Sequence, residues 1–319
     1  LDSAVPHVLP RVSALDGAIG ERQPSAFANP DLLVESWYVA ARSRHLARGQ
    51  VLSTERFGRR IAIYRDSDGG LRAVDGTCAH LGADLGQGRV VDNRLVCAFH
   101  GWRYDAAGQC HDSPRRLEVF PVVERWGYIW IYAGRDPAFD LPAPTPGWRH
   151  WTVQIPPQSI ACHPHLVIAN GLDAAHMGPL HGLELSVPPR LIRSGDYRLT
   201  MPLRIRPASP VIRLLAGGDL TASFTTIGAA LAWIVVERPI RFEVLFAAGP
   251  SAGAGTVMHA IVFTPPAPLA ALRALLLTVV VTGDDRRILE GLRFHPGFTD
   301  ADEGLRAFAS VVDRLAVFQ

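Results

Sequence analysis

The chain has 319 residues, is 48% hydrophobic and 19% charged, and carries a formal net charge of +2. That length allows two domains and a sizeable core, and the near balance of charge gives no electrostatic case for nucleic acid or a membrane as a general partner. Four cysteines do not make a disulfide framework. Residues 1–23 show no apolar stretch behind a basic start, and the apolar run Ala274–Val281 is too short to span a bilayer and is bracketed by Arg273 and Asp284. The expectation is a cytoplasmic protein without membrane segments.

Residues 1–30 lack clear periodicity and read as a loosely ordered arm. Residues 31–140 form a first unit. From Trp37 the text is β-like, with short runs at Ile61–Tyr64, Leu71–Val74, Arg94–Cys97 and Tyr128–Tyr132. Turn signals such as Asp66-Ser67-Asp68-Gly69-Gly70 and Asp92-Asn93 separate them, which predicts a small antiparallel all-β domain. Pro137, Pro142, Pro144 and Pro146 then mark an extended linker.

In residues 141–319 the pattern changes. Residues 165–177 read as a helix, followed by strands near 199–206, 221–227, 231–237, 241–248 and 256–263. Ala274–Val281 reads as a further buried strand, and helical text closes the chain at 284–293 and 301–315. Mixed strands and helices predict an α+β second domain, with a central antiparallel sheet flanked by helices.

Two patterns carry chemistry. Cys78-Ala79-His80 and Cys97-Ala98-Phe99-His100 are separated by sixteen residues. Each loop offers one thiolate and one imidazole. That suits a Rieske-type [2Fe–2S] cluster, whose cysteines hold one iron and whose histidines hold the other. A structural zinc site would usually group its cysteines together and its histidines together. Cys110 and Cys162 are left as free thiols. The second pattern is Asn170-x-x-Asp173-x-x-His176-x-x-x-x-His181. Helical spacing lets Asn170, Asp173 and His176 share a face, and Gly178-Pro179 is expected to end the helix just after His176, so that the chain returns with His181. Two histidines and a carboxylate are the makings of a mononuclear iron site with open positions. The third ligand is sought in Asp284-Asp285-Arg286-Arg287, read as a helix start after an apolar strand. His163 and His165 read as structural, and His259 as a candidate substrate-pocket side chain.

The chain resembles the Rieske non-haem iron oxygenases, also called aromatic-ring-hydroxylating oxygenases. The resemblance runs through Trp37-Tyr38-Val39-Ala40, Cys78-Ala79-His80-Leu81-Gly82-Ala83, Cys97-Ala98-Phe99-His100-Gly101-Trp102-Arg103-Tyr104-Asp105 and Gly127-Tyr128-Ile129-Trp130-Ile131-Tyr132, and through the second motif. It implies an all-β Rieske domain joined to an α+β catalytic domain. Cys78, His80, Cys97 and His100 would hold the [2Fe–2S] cluster. His176, His181 and Asp285 would hold a mononuclear Fe(II), with Asp284 the alternative acid. Asp173, with Asn170 beside it, would bridge this iron to the cluster of a neighbouring subunit in a homotrimer. The implied activity is that of a terminal oxygenase, taking electrons from a separate ferredoxin or NAD(P)H-dependent reductase. With O2 it would hydroxylate or oxidatively demethylate a hydrophobic or aromatic small molecule. Cis-dihydroxylation, or a Rieske electron carrier with a vestigial second domain, are the alternatives. The chain has no Gly-x-Gly-x-x-Gly opening a βαβ unit, so nicotinamide or flavin binding is left to that partner.

Overall fold

The computed structural model describes residues 33–56, 58–251, 255–293 and 297–318; the expected N-terminal arm lies outside the described residues. Three small antiparallel sheets come first. One joins β1 (Trp37–Arg42), β9 (Tyr128–Tyr132) and β8 (Val122–Arg125). The second joins β2 (Val51–Arg56), β3 (Arg59–Arg65) and β4 (Leu71–Asp75), and the third joins β5 (Arg89–Val91), β6 (Arg94–Val96) and β7 (Arg103–Tyr104).

An eight-stranded antiparallel sheet follows. Its main path runs β10 (Trp151–Ile160), β17 (Thr256–Thr264), β16 (Phe242–Pro250), β15 (Leu231–Arg238), β14 (Leu220–Ile227), β13 (Arg198–Pro207) and β11 (Leu183–Leu185). The short β12 (Ile192–Ser194) pairs with β13 off this path. The strands expected near 199–206, 221–227, 231–237, 241–248 and 256–263 all form; along β13 and β14 every second residue is buried. β10 went unforeseen, since Pro156-Pro157 reads as a break. It is an edge strand, and its register shifts between Ile155 and Gln158 accommodate the prolines.

The helices differ more from expectation. The stretch read as one helix is α1 (Pro164–Ala169), a 3₁₀ turn at Asn170–Leu172, and a separate α2 (Met177–His181). Asp173 leaves the helix with ψ near 97°, in extended conformation. Gly178-Pro179 therefore does not end a helix; it lies in the first turn of α2, where a missing N–H costs nothing. Gly182, at φ 61°, closes α2 in the left-handed conformation. After α3 (Pro210–Ala216) comes α4 (Pro268–Leu289), a 22-residue helix that contains the whole run Ala274–Val281. That run is not a strand, and Asp284-Asp285 lie in the last turns of α4 rather than opening a helix. α5 (Glu303–Val312) ends the described elements.

One face of the large sheet, with Leu203, Phe224, Val244 and Val262, packs under α1, α4 and α5. The other face, with Leu231, Trp233, Leu245 and Phe263, packs against Tyr128, Trp130 and Tyr132 of β9. A shared aromatic core thus joins the β1–β9–β8 sheet to the large one. Glu243 is fully buried at this seam; Trp233 Nε1 donates to it at 3.0 Å and Thr145 Oγ1 at 2.5 Å, pinning the proline-rich segment to the sheet. No described helix is long and apolar enough to cross a membrane.

Candidate metal centres

The two cysteine–histidine loops adopt the same local fold. In one, Cys78 N donates to Ala83 O at 2.8 Å and Gly82 N to Cys78 O at 2.9 Å. In the other, Cys97 N donates to Trp102 O at 2.8 Å and Gly101 N to Cys97 O at 3.1 Å. Gly82 and Gly101 sit at φ 78° and 74°, a region that favours glycine, which is why both loops carry one there. The loops bring the buried Cys78 and Cys97 together and turn His80 Nδ1 to within 3.2 Å of His100 Nδ1. Two imidazole nitrogens converging at this spacing from one side, with two thiols behind them, fit a cluster ligated by mixed donors.

Three neighbours of this site went unforeseen. Trp102 stacks on His80 with ring centroids 4.3 Å apart. Tyr104 Oη lies 3.1 Å from Cys78 Sγ and accepts from Ala79 N at 3.1 Å. Burial, then the Cys78 sulfur, push its phenol pKa up. Arg115 donates to Ala79 O. Burial also raises the Cys78 thiol, so its deprotonation calls for a cation. Outside these groups His100, Leu81 and Phe99 are exposed, leaving the imidazole edge accessible. Cys110 and Cys162 are free and buried.

The second site assembles from three elements. His176 occupies the N-cap position of α2 and His181 is its last residue, so the short helix holds them with ring centroids 5.2 Å apart. Asp285 reaches in from α4: its Oδ1 is 3.0 Å from His181 Nε2 and 3.7 Å from His176 Nε2. Donor bonds of about 2 Å to one ion separate the donors by about 3–4 Å, so the set fits a single metal. The three ligand atoms lie within 4.8 Å of one another. Asn170 Nδ2 donates to the same Asp285 oxygen at 2.9 Å. The outer nitrogens face carboxylates: His176 Nδ1 is 3.3 Å from Asp173 Oδ2, and His181 Nδ1 is 3.8 Å from Asp284 Oδ2. Asp284 thus stands behind a histidine, with Arg287 at 3.7 Å. The His176 imidazole holds the Asp173 carboxyl below the usual range, against the opposing effect of burial.

An apolar cavity opens from this donor set in two adjoining lobes of about 120 and 80 Å³. Leu203, Phe224, Ile234 and Phe246 of the sheet and Leu277 and Val281 of α4 are among its walls. Thr278 and Thr282 also face it, but their hydroxyls donate back to Ala274 O and Thr278 O, 2.8 Å in each case. His259 does not reach this cavity. It alternates with Met258 and Ala260 on β17 and so faces the opposite side of the sheet, where its ring sits 5.1 Å from Tyr128 and beside Val39. The pocket assignment made from sequence is corrected by that one-residue alternation. His163 caps α1, and His165 is fully buried, both structural as read.

Residues 36–122 match the family model of the Rieske [2Fe-2S] domain. That stretch, which carries both cysteine–histidine loops, is thus a Rieske [2Fe–2S] domain. The chain is 32% identical over 195 residues to aminopyrrolnitrin oxygenase PrnD of Pseudomonas fluorescens, covering 54% of this chain and 53% of that protein. It is 34% identical over 158 residues to 4beta-methylsterol monooxygenase of Methylococcus capsulatus, covering 44% and 42%. The matches thus span about half the length of these curated relatives. In fold it resembles dicamba monooxygenase bound to dicamba, with TM-score 0.65 and 22% identity over 87% of this chain and 96% of that one. NdmA of Pseudomonas putida CBB5 with caffeine gives TM-score 0.68 and 19% identity, covering 85% and 88%.

Proposed function

We propose that this chain is a terminal oxygenase component that hydroxylates or oxidatively demethylates an apolar small molecule, using O2 and electrons from a separate redox protein. The observation that carries this reading is the apolar cavity ending on His176, His181 and Asp285. When bound, the cluster supplies one-electron transfer and the iron supplies O2 activation.

The chain's own residues supply the rest. His176, His181 and Asp285 occupy one side of the iron position, and Asn170 steadies Asp285 by its 2.9 Å hydrogen bond. Asp173 orients His176 from its outer nitrogen. With both threonine hydroxyls engaged by the α4 backbone, the cavity walls exclude water and hold substrate by shape. An apolar cavity of about 150 Å³ takes one benzene ring, so the two lobes suit a substrate of about one or two rings. Asp173 is about a quarter exposed beside His176, and the His80/His100 edge is accessible. Asp173 of one subunit and His100 of the next would therefore meet in a head-to-tail homotrimer. The relatives' names support this reading: PrnD is an oxygenase, and the solved neighbours bind dicamba and caffeine.

The test is O2 and reductant consumption coupled to product, with a ferredoxin and reductase supplied, over a panel of aromatic, terpenoid and methoxylated compounds. Coupled product with about three irons per chain is expected; about two irons and no turnover would make the chain an electron carrier. Asp173→Asn should keep cluster and iron but slow cluster reoxidation in a single turnover. Normal reoxidation would remove Asp173 from the bridging role.

A further inference from the structure

The outer side of α4 is as apolar as its inner side. Leu269, Leu272 and Leu276 are 68%, 52% and 42% exposed, and Val279 is 45% exposed, all on one stripe of the helix. α3 extends the patch with Val211 and Leu214, exposed by 63% and 72%. Arg273 Nη2 donates to Leu214 O at 2.8 Å, so the two helices present one joined face. Scattered exposed leucines are ordinary, but a contiguous apolar face of this kind marks a docking surface.

We propose that this α3–α4 face docks onto an anionic lipid bilayer. Charge argues for that occupant. Within 209–218 and 265–283 the only charged residues are Arg213 and Arg273; the first acids, Asp219 and Asp284, stand at the edges. Apolar anchors accompanied by cations alone match a hydrocarbon interior beneath anionic headgroups. A second copy meeting it face to face would set arginine against arginine with no acid to answer it. A coiled-coil partner would call for charged flanks to the stripe, whereas the flanking residues include Leu275 and Val280. The helix would lie in the interface rather than cross it, because its inner face carries Leu277 and Val281 of the cavity and Asp285 of the metal site. Among the described helices, α4 is the one that has the patch on one side and the cavity on the other. A bilayer-dissolved substrate passing alongside α4 would have a short apolar route; this last step rests on the oxygenase reading, while docking itself does not.

Docking is tested with the full-length holoprotein sedimented with vesicles of phosphatidylcholine alone or mixed with phosphatidylglycerol. The protein should pellet with the mixed vesicles, less with phosphatidylcholine alone, and less again as salt rises. Leu276→Glu should weaken the partition by about tenfold or more, and Arg213→Gln should weaken it several-fold on the mixed vesicles only. Cluster absorbance and iron content report whether each variant has folded, and Leu272→Glu serves if Leu276→Glu has not. A wild-type protein that stays in the supernatant overturns the proposal, as does a folded leucine variant that binds as the wild type does. Self-association abolished by Leu276→Glu, without vesicle binding, would give the face to a second copy instead.

Discussion

Asp284 and Asp285 are adjacent in sequence and one helical step apart in space, and that step separates their roles. Asp285 points between the two inner imidazole nitrogens, whereas Asp284 stands behind His181. Asp285→Ala should therefore lose mononuclear iron while keeping the cluster spectrum, and Asp284→Ala should keep both; metal analysis with visible circular dichroism checks this. A second residue-scale consequence comes from His165. Its Nδ1–H donates to Ala229 O at 3.1 Å, and its Nε2 accepts from Val34 N at 3.4 Å. Burial, and secondarily His163, lower its pKa to about 3. Between about 3 and the ordinary 6.5 the unfolded chain binds a proton that the folded chain does not, so stability rises with pH there and is lost as pH falls, by up to about 1.4 kcal/mol per pH unit. His165→Gln can make both hydrogen bonds without titrating. Its denaturant midpoint should change less between pH 6.5 and 4.5 than that of the wild type; parallel curves would assign the acid sensitivity elsewhere.

At the scale of elements, what the sequence makes legible follows from periodicity. Strands β13 and β14 alternate, β15 and β16 are near-continuous apolar runs, and all were readable, as were both ligand-bearing loops, whose cysteines, histidines and glycines have fixed local jobs. α4 was misread because both of its faces are apolar and Val279-Val280-Val281 is β-branched, so no polar face displayed a helical period. The break after Leu172 was hidden for another reason: helical spacing in the motif is satisfied equally by a 3₁₀ turn and a second short helix. The cavity could not be read at all, since Phe224 and Leu277 meet only in three dimensions. Gly171, in that 3₁₀ turn, lies so close to Phe224 that an added Cβ would sit 2.0 Å from its ring. Gly171→Ala should cost about 1–3 kcal/mol in equilibrium unfolding. Adding Phe224→Leu should restore part of it, and a double-mutant cycle without coupling would show the strain to lie elsewhere.

At the scale of the whole molecule, the two halves share Trp37, Trp130, Trp233 and Phe263 in one core. They should therefore unfold together. Visible absorbance from the cluster and far-ultraviolet circular dichroism should fall at one denaturant concentration, and Trp233→Ala should shift both by about 3–5 kcal/mol. Two separated transitions would show the halves to be independent. The same core bears on recombination between relatives. The Rieske family match ends at residue 122, yet β9 at Tyr128–Tyr132 pairs with β1 of that region while pressing its rings onto the large sheet. A chimera cut at residue 122 would leave β8 and β9 with the second half and β1 to pair with a foreign neighbour. Exchange would be better made in the proline-rich stretch beyond Leu141, carrying β9 with the donor's first half and swapping the facing side chains of β15 to β17 to match. Inheritance of the electron-entry half is thus tied to a patch of sheet more than ninety residues further along the chain.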